Sequence, residues 1–471
     1  MGKIVVLGAG PIGLATAMLL ARDGHAVTVL EKDTQAPPAT EMEAWERWER
    51  SGVAQFRQAH YMQAKFRHLL DAEFAAVRDQ IEASGGRRFS LIAVLPPSVA
   101  DRSPREGDDQ FETLTGRRPI LECAFARVAE ETPGVTIMRG VTVDSPVAGR
   151  SLGDGTPHVS GVHTRDGREI AADLVIDAMG RRSKLVEWVV ALGGRPPYEE
   201  ASDAGFAYYT RHYHSRDGSV PAQRGPLSTI LGTIRVLTVP ADNNTWTVAL
   251  VPMAGDQPLK ALRHNAVWER VARAIPHAAH WLDGEALCDV TPMAGVLDRY
   301  RRIVVDQQPV VTGLLPVGDA WACTNPTAGR GFSLGLGHAV ALRNTLRENP
   351  EDPAQLAEAF DRVTEETLTP WYRDQVDRDR QVAMEVQAAI DGKPSAKPAD
   401  GSPAQMNAAL LAAASVDADV ARAFFEVFSC LTLPAEVMRR PGIREKMEAH
   451  AGLKPTPLPG PTRAELMALV S

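Results

Sequence analysis

The run Gly8-Ala9-Gly10-Pro11-Ile12-Gly13 constrains this chain more than any other feature. It follows a short β-branched stretch, Lys3 to Leu7. It opens a stretch from Ile12 to Arg22 with helical apolar spacing, after which Ala26 to Leu30 is apolar again. Strand, tight turn, helix and strand make a βαβ unit, and each glycine in the turn has its own physical task. Gly8 permits the tight turn, Gly10 leaves room for a pyrophosphate to approach the backbone, and Gly13 lets helix and strand pack closely. The helix N-terminus, with Pro11 and Ile12 in its first turn, favours negative charge. Glu31, followed by Lys32, closes the second strand 18 residues beyond Gly13, where an acid can accept hydrogen bonds from a ribose diol. A dinucleotide is the expected ligand; the competing reading is a glycine turn that holds nothing.

With 471 residues the chain is long enough for two or three domains around a large buried interior. Its four cysteines, Cys123, Cys288, Cys323 and Cys430, lie far apart and form no CxxC pair, so neither a disulfide framework nor a zinc site is expected. No export signal precedes the first strand, and no apolar run reaches the roughly 18 residues a membrane span needs. A cytoplasmic location is the expectation. The formal charge of −8, with Arg and Glu mixed along the helical stretches, argues against nucleic acid as a partner.

A second Gly-rich segment decides which dinucleotide is expected. Pro309 to Val317 is strand-like and leads into Gly318-Asp319-Ala320. Then come Asn325-Pro326-Thr327-Ala328-Gly329-Arg330-Gly331-Phe332 and a helix through Leu334, Leu336, Val340 and Leu342. A carboxylate at the strand end can accept a ribityl hydroxyl, while Gly329 and Gly331 let backbone N–H groups at a helix start face a flavin pyrimidine edge. Gly335 and Gly337 each cost that helix roughly 1 kcal/mol relative to alanine, so a close neighbour is expected at both. Between the two segments lies Asp177-Ala178-Met179-Gly180-Arg181-Arg182-Ser183, again at a strand end.

GxGxxG with a ribose Glu, D-x-x-G-x-x-S in mid-chain, and G-D-A followed by P-x-x-G-x-G together resemble the class A flavoprotein monooxygenases. That group includes para-hydroxybenzoate hydroxylase and squalene epoxidase. The motifs run in family order over about two-thirds of the chain. The alanine after Asp177 departs from the family's Asp-Gly, which resembles the flavin-dependent halogenases and geranylgeranyl reductases and weakens the case for direct NADPH use. The resemblance implies FAD as cofactor, with Arg118 as a flavin-phosphate contact, Val143 at the adenine, and Asp177, Gly180, Asp319, Pro326 and Phe332 among the flavin contacts. It also implies hydroxylation or epoxidation of a mid-sized, partly apolar metabolite with O2, through a flavin C4a-hydroperoxide. NAD(P)H or a partner flavin reductase would supply electrons. The alternatives are a reductase of the geranylgeranyl kind, a halogenase, and a non-catalytic flavin carrier.

The fold expected is α/β: a Rossmann-type FAD-binding domain over 1–200 and 300–348, an antiparallel substrate domain over 201–299, and a helical region over 349–471. Two helices are expected between Thr40 and Ser84, and a helical stretch between Pro252 and Ile303. Gly392 to Pro403 reads as an exposed linker. On the strand Tyr208 to His214, alternation places Tyr209, Arg211 and Tyr213 on one face and Tyr208, His212 and His214 on the other. The first set is the candidate pocket face, with His60 from the loop that also carries Gln55, Arg57 and Gln58. His212-x-His214 lacks a third metal ligand, so no metal is expected. Trp246 and Pro252 match part of the halogenase Trp motif, whose second Trp is missing. Cys323 reads as a small packing residue near a helix start, with a stabilised thiolate as the alternative.

Overall fold

The computed structural model describes residues 2–151, 155–349, 351–394, 398–399, 401–450, 452–453 and 458–471; the expected linker lies partly outside them, at 395–397 and 400. Strand β1 (Lys3–Leu7) is buried from Ile4 onward and turns into helix α1 (Pro11–Arg22), followed by β2 (Ala26–Glu31). Helix α2 (Arg118–Glu131), β3 (Val135–Arg139) and β4 (Leu174–Asp177) come next. The strands β5 (Tyr208–His214), β6 (Ile234–Pro240) and β7 (Thr245–Pro252) intervene before β8 (Leu314–Pro316), helix α3 (Gly331–Glu348) and helix α4 (Thr369–Ile390).

Five parallel strands form one sheet in the order β8-β4-β1-β2-β3. Such strands are covered on both faces and so read as continuous apolar runs. Helix α1 is apolar almost all round because it is enclosed between the sheet, α2 and α3. Where α1 crosses α3, a Cβ at Gly335 would lie 2.6 Å from Ile12 Cδ1, so glycine there is a packing requirement. Gly337 faces only ordinary contact with Leu368 at 3.8 Å, and the expected demand at that position is not found.

The antiparallel sheet pairs β6 with β7 and β7 with β5. One of its faces, with Tyr208, Leu237, Val239, Ala249 and Val251, packs on the C-terminal helices through Leu410, Ala413, Val420 and Phe425. The other, with Tyr209, Tyr213, Val236 and Leu250, packs on Trp268, Trp281 and Leu466. A separate three-stranded sheet joins Tyr198–Asp203, Leu297–Arg302 and Ala322–Cys323.

Two expectations need correction. The stretch after Pro252 is helical only as far as Leu282, and Thr291–Met293 and Leu297–Arg302 are strands. Charged residues disguised the second of these, because Asp298 and Arg301 are both buried and the polar/apolar alternation fails. Between Thr40 and Ser84 there are three helices, Glu41–Glu46, Ala64–Glu73 and Ala75–Ala83, with a long loop after the first. Among the described residues no helix is long and apolar enough to cross a membrane.

Candidate functional site

A cavity of about 520 Å³ runs from Glu31, Lys32 and Val143 at the edge of the parallel sheet to Tyr61, Met293 and Asn325 beneath the antiparallel one. At its first end Gly8 has φ +101, and a Cβ there would stand 2.8 Å from the Ala178 carbonyl oxygen. A Cβ on Gly13 would stand 2.1 Å from the Gly8 oxygen, whereas one on Gly10 would meet nothing within 4 Å. Gly10 therefore opens onto the cavity, and α1 begins there with no side-chain cap. Helix α3 also begins on the cavity without a side-chain cap, at Arg330-Gly331. Two uncapped helix starts present N–H groups and positive dipole ends to one space, which suits a ligand with a pyrophosphate and an electron-rich ring edge.

Glu31 accepts hydrogen bonds from the Ala9 and Asp33 N–H groups at 2.9 and 3.0 Å, and from Arg50 Nη2 at 2.9 Å. Arg50 also meets Asp33 at 3.1 Å and Glu122 at 3.3 Å, so one buried guanidinium orients three acids. Glu31 keeps lone pairs for a diol. Nothing in the sequence around Arg50 marked it, since a Trp/Glu/Arg-rich stretch reads as a solvated helix face.

Asp177 departs from its expected place. Its carboxylate accepts from Met179 N–H at 3.0 Å and from the Ser183 hydroxyl at 2.5 Å, and burial raises its pKa against those two bonds. It shapes the turn that brings Ala178, Met179 and Gly180 to the cavity wall; its own side chain does not reach that wall. Asp319 does reach it. Its carboxylate has no hydrogen-bond partner among the described residues, and burial raises its pKa against the charges of Arg118, Arg181 and Arg299. The Gly318 N–H donates to His338 Nδ1 at 3.2 Å, which fixes the tautomer so that Nε2–H faces Thr364 Oγ1 at 3.2 Å. His338, held between Phe360 and Trp321, is a positioning residue that sequence reasoning missed.

Arg118 lines the cavity beside Phe332, with its guanidinium carbon 5.5 Å from the ring centre. It donates to Glu122 at 2.5 Å and to His60 Nε2 at 3.3 Å, while His60 Nδ1 faces the Gln58 carbonyl at 3.0 Å. Pro326, Gly329 and Gly331 stand on the same wall. The loop carrying His60 is pinned. Arg57 donates to the Trp45 and Trp48 carbonyls, Gln58 bonds Thr210 and Thr291, and His212 Nε2 meets the Arg57 carbonyl at 3.1 Å.

The candidate pocket face does not line the cavity. Tyr209, Arg211 and Tyr213 point away from the cavity: Tyr213 lies between Trp246 and Trp268, and Arg211 bonds the Cys288 carbonyl and pairs with Glu269. Tyr208, Thr210 and His212 lie on the opposite face and do not line the cavity either; the Tyr208 hydroxyl donates to Asn325 Oδ1, which does line it. Trp246 is also on the far side, its indole N–H donating to the Trp281 carbonyl at 2.7 Å. Burial pushes the Cys323 thiol up to about 11, which fits packing and not a thiolate. Both His212 nitrogens are engaged, the second with Thr247 at 2.9 Å, and no group of three metal ligands gathers among the described residues.

Burial pushes His60 and His338 down to about 3 and His212 to about 4. These histidines stay neutral when folded but take a proton near pH 6.5 when unfolded. Their contribution to stability is therefore present above 6.5 and is lost as pH falls toward 4. Burial raises Asp379 to about 6, so it gains its proton in the folded state first and offsets one of the three. The carboxyls of Asp177 and Asp319, which burial also raises, oppose the histidines in the same range, so the histidines are read directly. In the folded protein the imidazole NMR signals of His60, His212 and His338 should stay at their neutral positions from pH 7 to 5, and a titration near pH 6.5 would show that they are not enclosed as described.

Residues 6–69 match the NAD(P)-binding Rossmann-like domain family, and residues 121–200 match the tryptophan halogenase family. Protein Rv3254 of Mycobacterium tuberculosis is 26% identical over 401 residues, 78% of this chain and 77% of that protein. Among solved structures, the flavin-dependent brominase Bmp2 superposes with TM-score 0.61 at 15% identity, over 95% of this chain and 98% of its own. PqsL, a probable FAD-dependent monooxygenase from Pseudomonas aeruginosa, gives 0.59 at 15% identity over 83% and 99%. A flavoprotein/dehydrogenase from Cytophaga hutchinsonii gives 0.58 at 16% identity over 95% and 97%.

Proposed function

We propose that this chain, which has the fold of the FAD-dependent monooxygenases and halogenases, binds FAD and uses it with O2 to hydroxylate or epoxidise a mid-sized, partly apolar metabolite. The observation that carries the reading is a single cavity onto which two uncapped helix starts and the unpartnered Asp319 carboxylate open. In this reading Gly10 and the start of α1 hold the pyrophosphate, Glu31 the ribose and Val143 the adenine side. Asp319 accepts a ribityl hydroxyl, and the N–H groups at Gly329 to Gly331 meet the pyrimidine edge. When bound, the flavin supplies the two-electron chemistry with O2. The protein's part is placement and exclusion of water. Arg118, bonded to His60, puts a fixed positive charge beside the ring site, and the pinned loop closes that side.

Asp319→Ala tests the assignment. The variant should retain FAD at least about tenfold more weakly, the effect of losing a charged hydrogen bond, with the unfolding midpoint of flavin-free protein unchanged. Equal flavin retention would remove the assignment. Electrons come from NAD(P)H or a separate flavin reductase, and stopped-flow reduction by NADPH alone discriminates between them.

The tryptophan halogenase match over residues 121–200 supports halogenation as a second reading. Bromide-dependent halogenated product in place of oxygenated product would favour it. Turnover without O2 would favour the reductase alternative.

A further inference from the structure

Two turns form the cavity wall around Asp319: Gly180–Arg182, which follows β4, and Gly318–Ala320, which follows β8. They approach closely, since a Cβ at Gly180 would stand 3.8 Å from Asp319 Cβ. Their strands pair as far as Asp177 and Pro316, and the Val317 N–H then donates to the Asp177 carbonyl at 2.9 Å. Beyond that point no backbone hydrogen bond joins the two turns among the described residues. Their spacing therefore has to be fixed from elsewhere.

Arg301 fixes it from behind. It lies on the strand Leu297–Arg302 of the separate three-stranded sheet and is 2% exposed. Its Nη1 donates to the Ala320 carbonyl at 3.0 Å and its Nη2 to the Ser183 carbonyl at 3.3 Å, so one side chain bonds the ends of both turns. A guanidinium is planar and holds its two Nη groups at a fixed spacing, which makes that span rigid. Arg299, on the same face of the strand, adds a second tie: its Nη2 donates to the Arg181 carbonyl at 2.6 Å. The remaining contact of Arg301, from Nε to Glu199 at 2.5 Å, is at the wet end of the side chain, because the Glu199 side chain is 35% exposed. Water screens such a pair. The two carbonyl bonds lie inside, where the turns are.

We infer that Arg301 is a positioning residue of the flavin site: its guanidinium fork locks the Gly318–Ala320 turn to the Gly180–Arg182 turn, with Arg299 as a second tie, and so sets where the Asp319 carboxylate stands. This deepens the FAD reading and rests on it for what Asp319 binds; the lock between the turns stands without it.

Two variants of the full chain separate the fork from the ion pair. Arg301→Lys keeps a charge near Glu199 but loses the planar fork, whereas Glu199→Gln removes the ion pair and keeps the fork. Arg301→Lys should bind FAD at least about tenfold more weakly, with the absorption spectrum of the bound flavin shifted at saturating FAD. Glu199→Gln should match wild type in both. In an Asp319→Ala background Arg301→Lys should cost no further affinity, because the two residues act as one unit. Wild-type affinity and spectrum in Arg301→Lys overturn the inference, as does an equal loss in Glu199→Gln or an undiminished loss in the Asp319→Ala background.

Hydrogen exchange without flavin reads the lock directly. Arg301→Lys should speed exchange at least about tenfold in residues 178–183 and 317–321 and leave the parallel sheet at wild-type rates; unchanged rates in those two segments overturn the lock. If Arg301→Lys does not fold, Arg299→Met at its half-buried position carries the test, with faster exchange expected in residues 178–183 and a wild-type rate there counting against the inference. The same samples separate the two proposals. Faster exchange in a protein whose wild type retains no FAD sinks the FAD reading alone, and a flavin-loaded protein whose turns exchange as in wild type sinks the lock alone.

Discussion

Replacing Asp242 by alanine is expected to cost about 3–5 kcal/mol of stability, the range found when one partner of a buried ion pair is removed. Asp242 has no exposed surface. It accepts hydrogen bonds from the Arg117 backbone N–H at 2.6 Å, from Nη2 at 2.6 Å and from Nε at 3.1 Å. Arg117 is buried in turn, with its guanidinium carbon 4.7 Å from the centre of a Trp45 ring, so it cannot turn to water. The carboxylate sits in the turn between β6 and β7, and the arginine precedes α2. The pair therefore ties the antiparallel sheet to the helix that carries Arg118. Urea unfolding at fixed flavin concentration measures the loss. A cost below about 1 kcal/mol would put the pair with ordinary surface ion pairs. The double variant Arg117→Leu/Asp242→Leu should recover part of the loss, because no charge is then left buried alone.

The second large effect separates two glycines that look equivalent in the motif. Gly13→Val should prevent folding of the βαβ unit, because its Cβ would stand 2.1 Å from the Gly8 carbonyl oxygen, with no flexible side chain to give way. Gly10→Val should fold with a normal melting temperature, since a Cβ there meets nothing within 4 Å, and should fail to retain FAD if the proposed pyrophosphate site is right. Circular dichroism melts with flavin absorbance on the same samples decide both. If Gly10→Val keeps its flavin, the pyrophosphate does not lie against α1. If Gly13→Val melts like wild type, α1 and β1 are not packed as closely as the distances require.

Much of the site was legible because its signals are local. Gly8 and Gly13 act through close backbone approach within one turn, Gly329 does so against the Tyr61 carbonyl, Gly318 packs on the Ile12 side chain, and Gly10 and Gly331 leave open space, so spacing alone singled these glycines out. Glu31 and Asp319 were singled out by their position at strand ends, and both line the cavity. Asp177 was misassigned because a carboxylate at a strand end can serve the turn as well as a ligand, and only the bonds from Met179 and Ser183 distinguish these roles. Arg50 and His338 act on residues 19 and 20 positions away, through contacts that no periodicity encodes.

The strand Tyr208 to His214 shows the limit most clearly. Alternation correctly divided it into two sets, because successive side chains of an extended chain point to opposite sides. It could not say that neither set lines the cavity, since both faces of the sheet are covered, one by the C-terminal helices and one by Trp268 and Trp281. A strand enclosed on both sides loses the polar/apolar contrast that marks inside from outside. The sequence by itself therefore determined the βαβ unit, the glycines of its turn and the order of the glycine-rich segments, all consequences of steric rules acting over a few residues. Tertiary structure alone decided that neither face of the Tyr208 to His214 strand lines the cavity and which acids are committed to internal bonds, because each depends on what distant parts of the chain bring into contact.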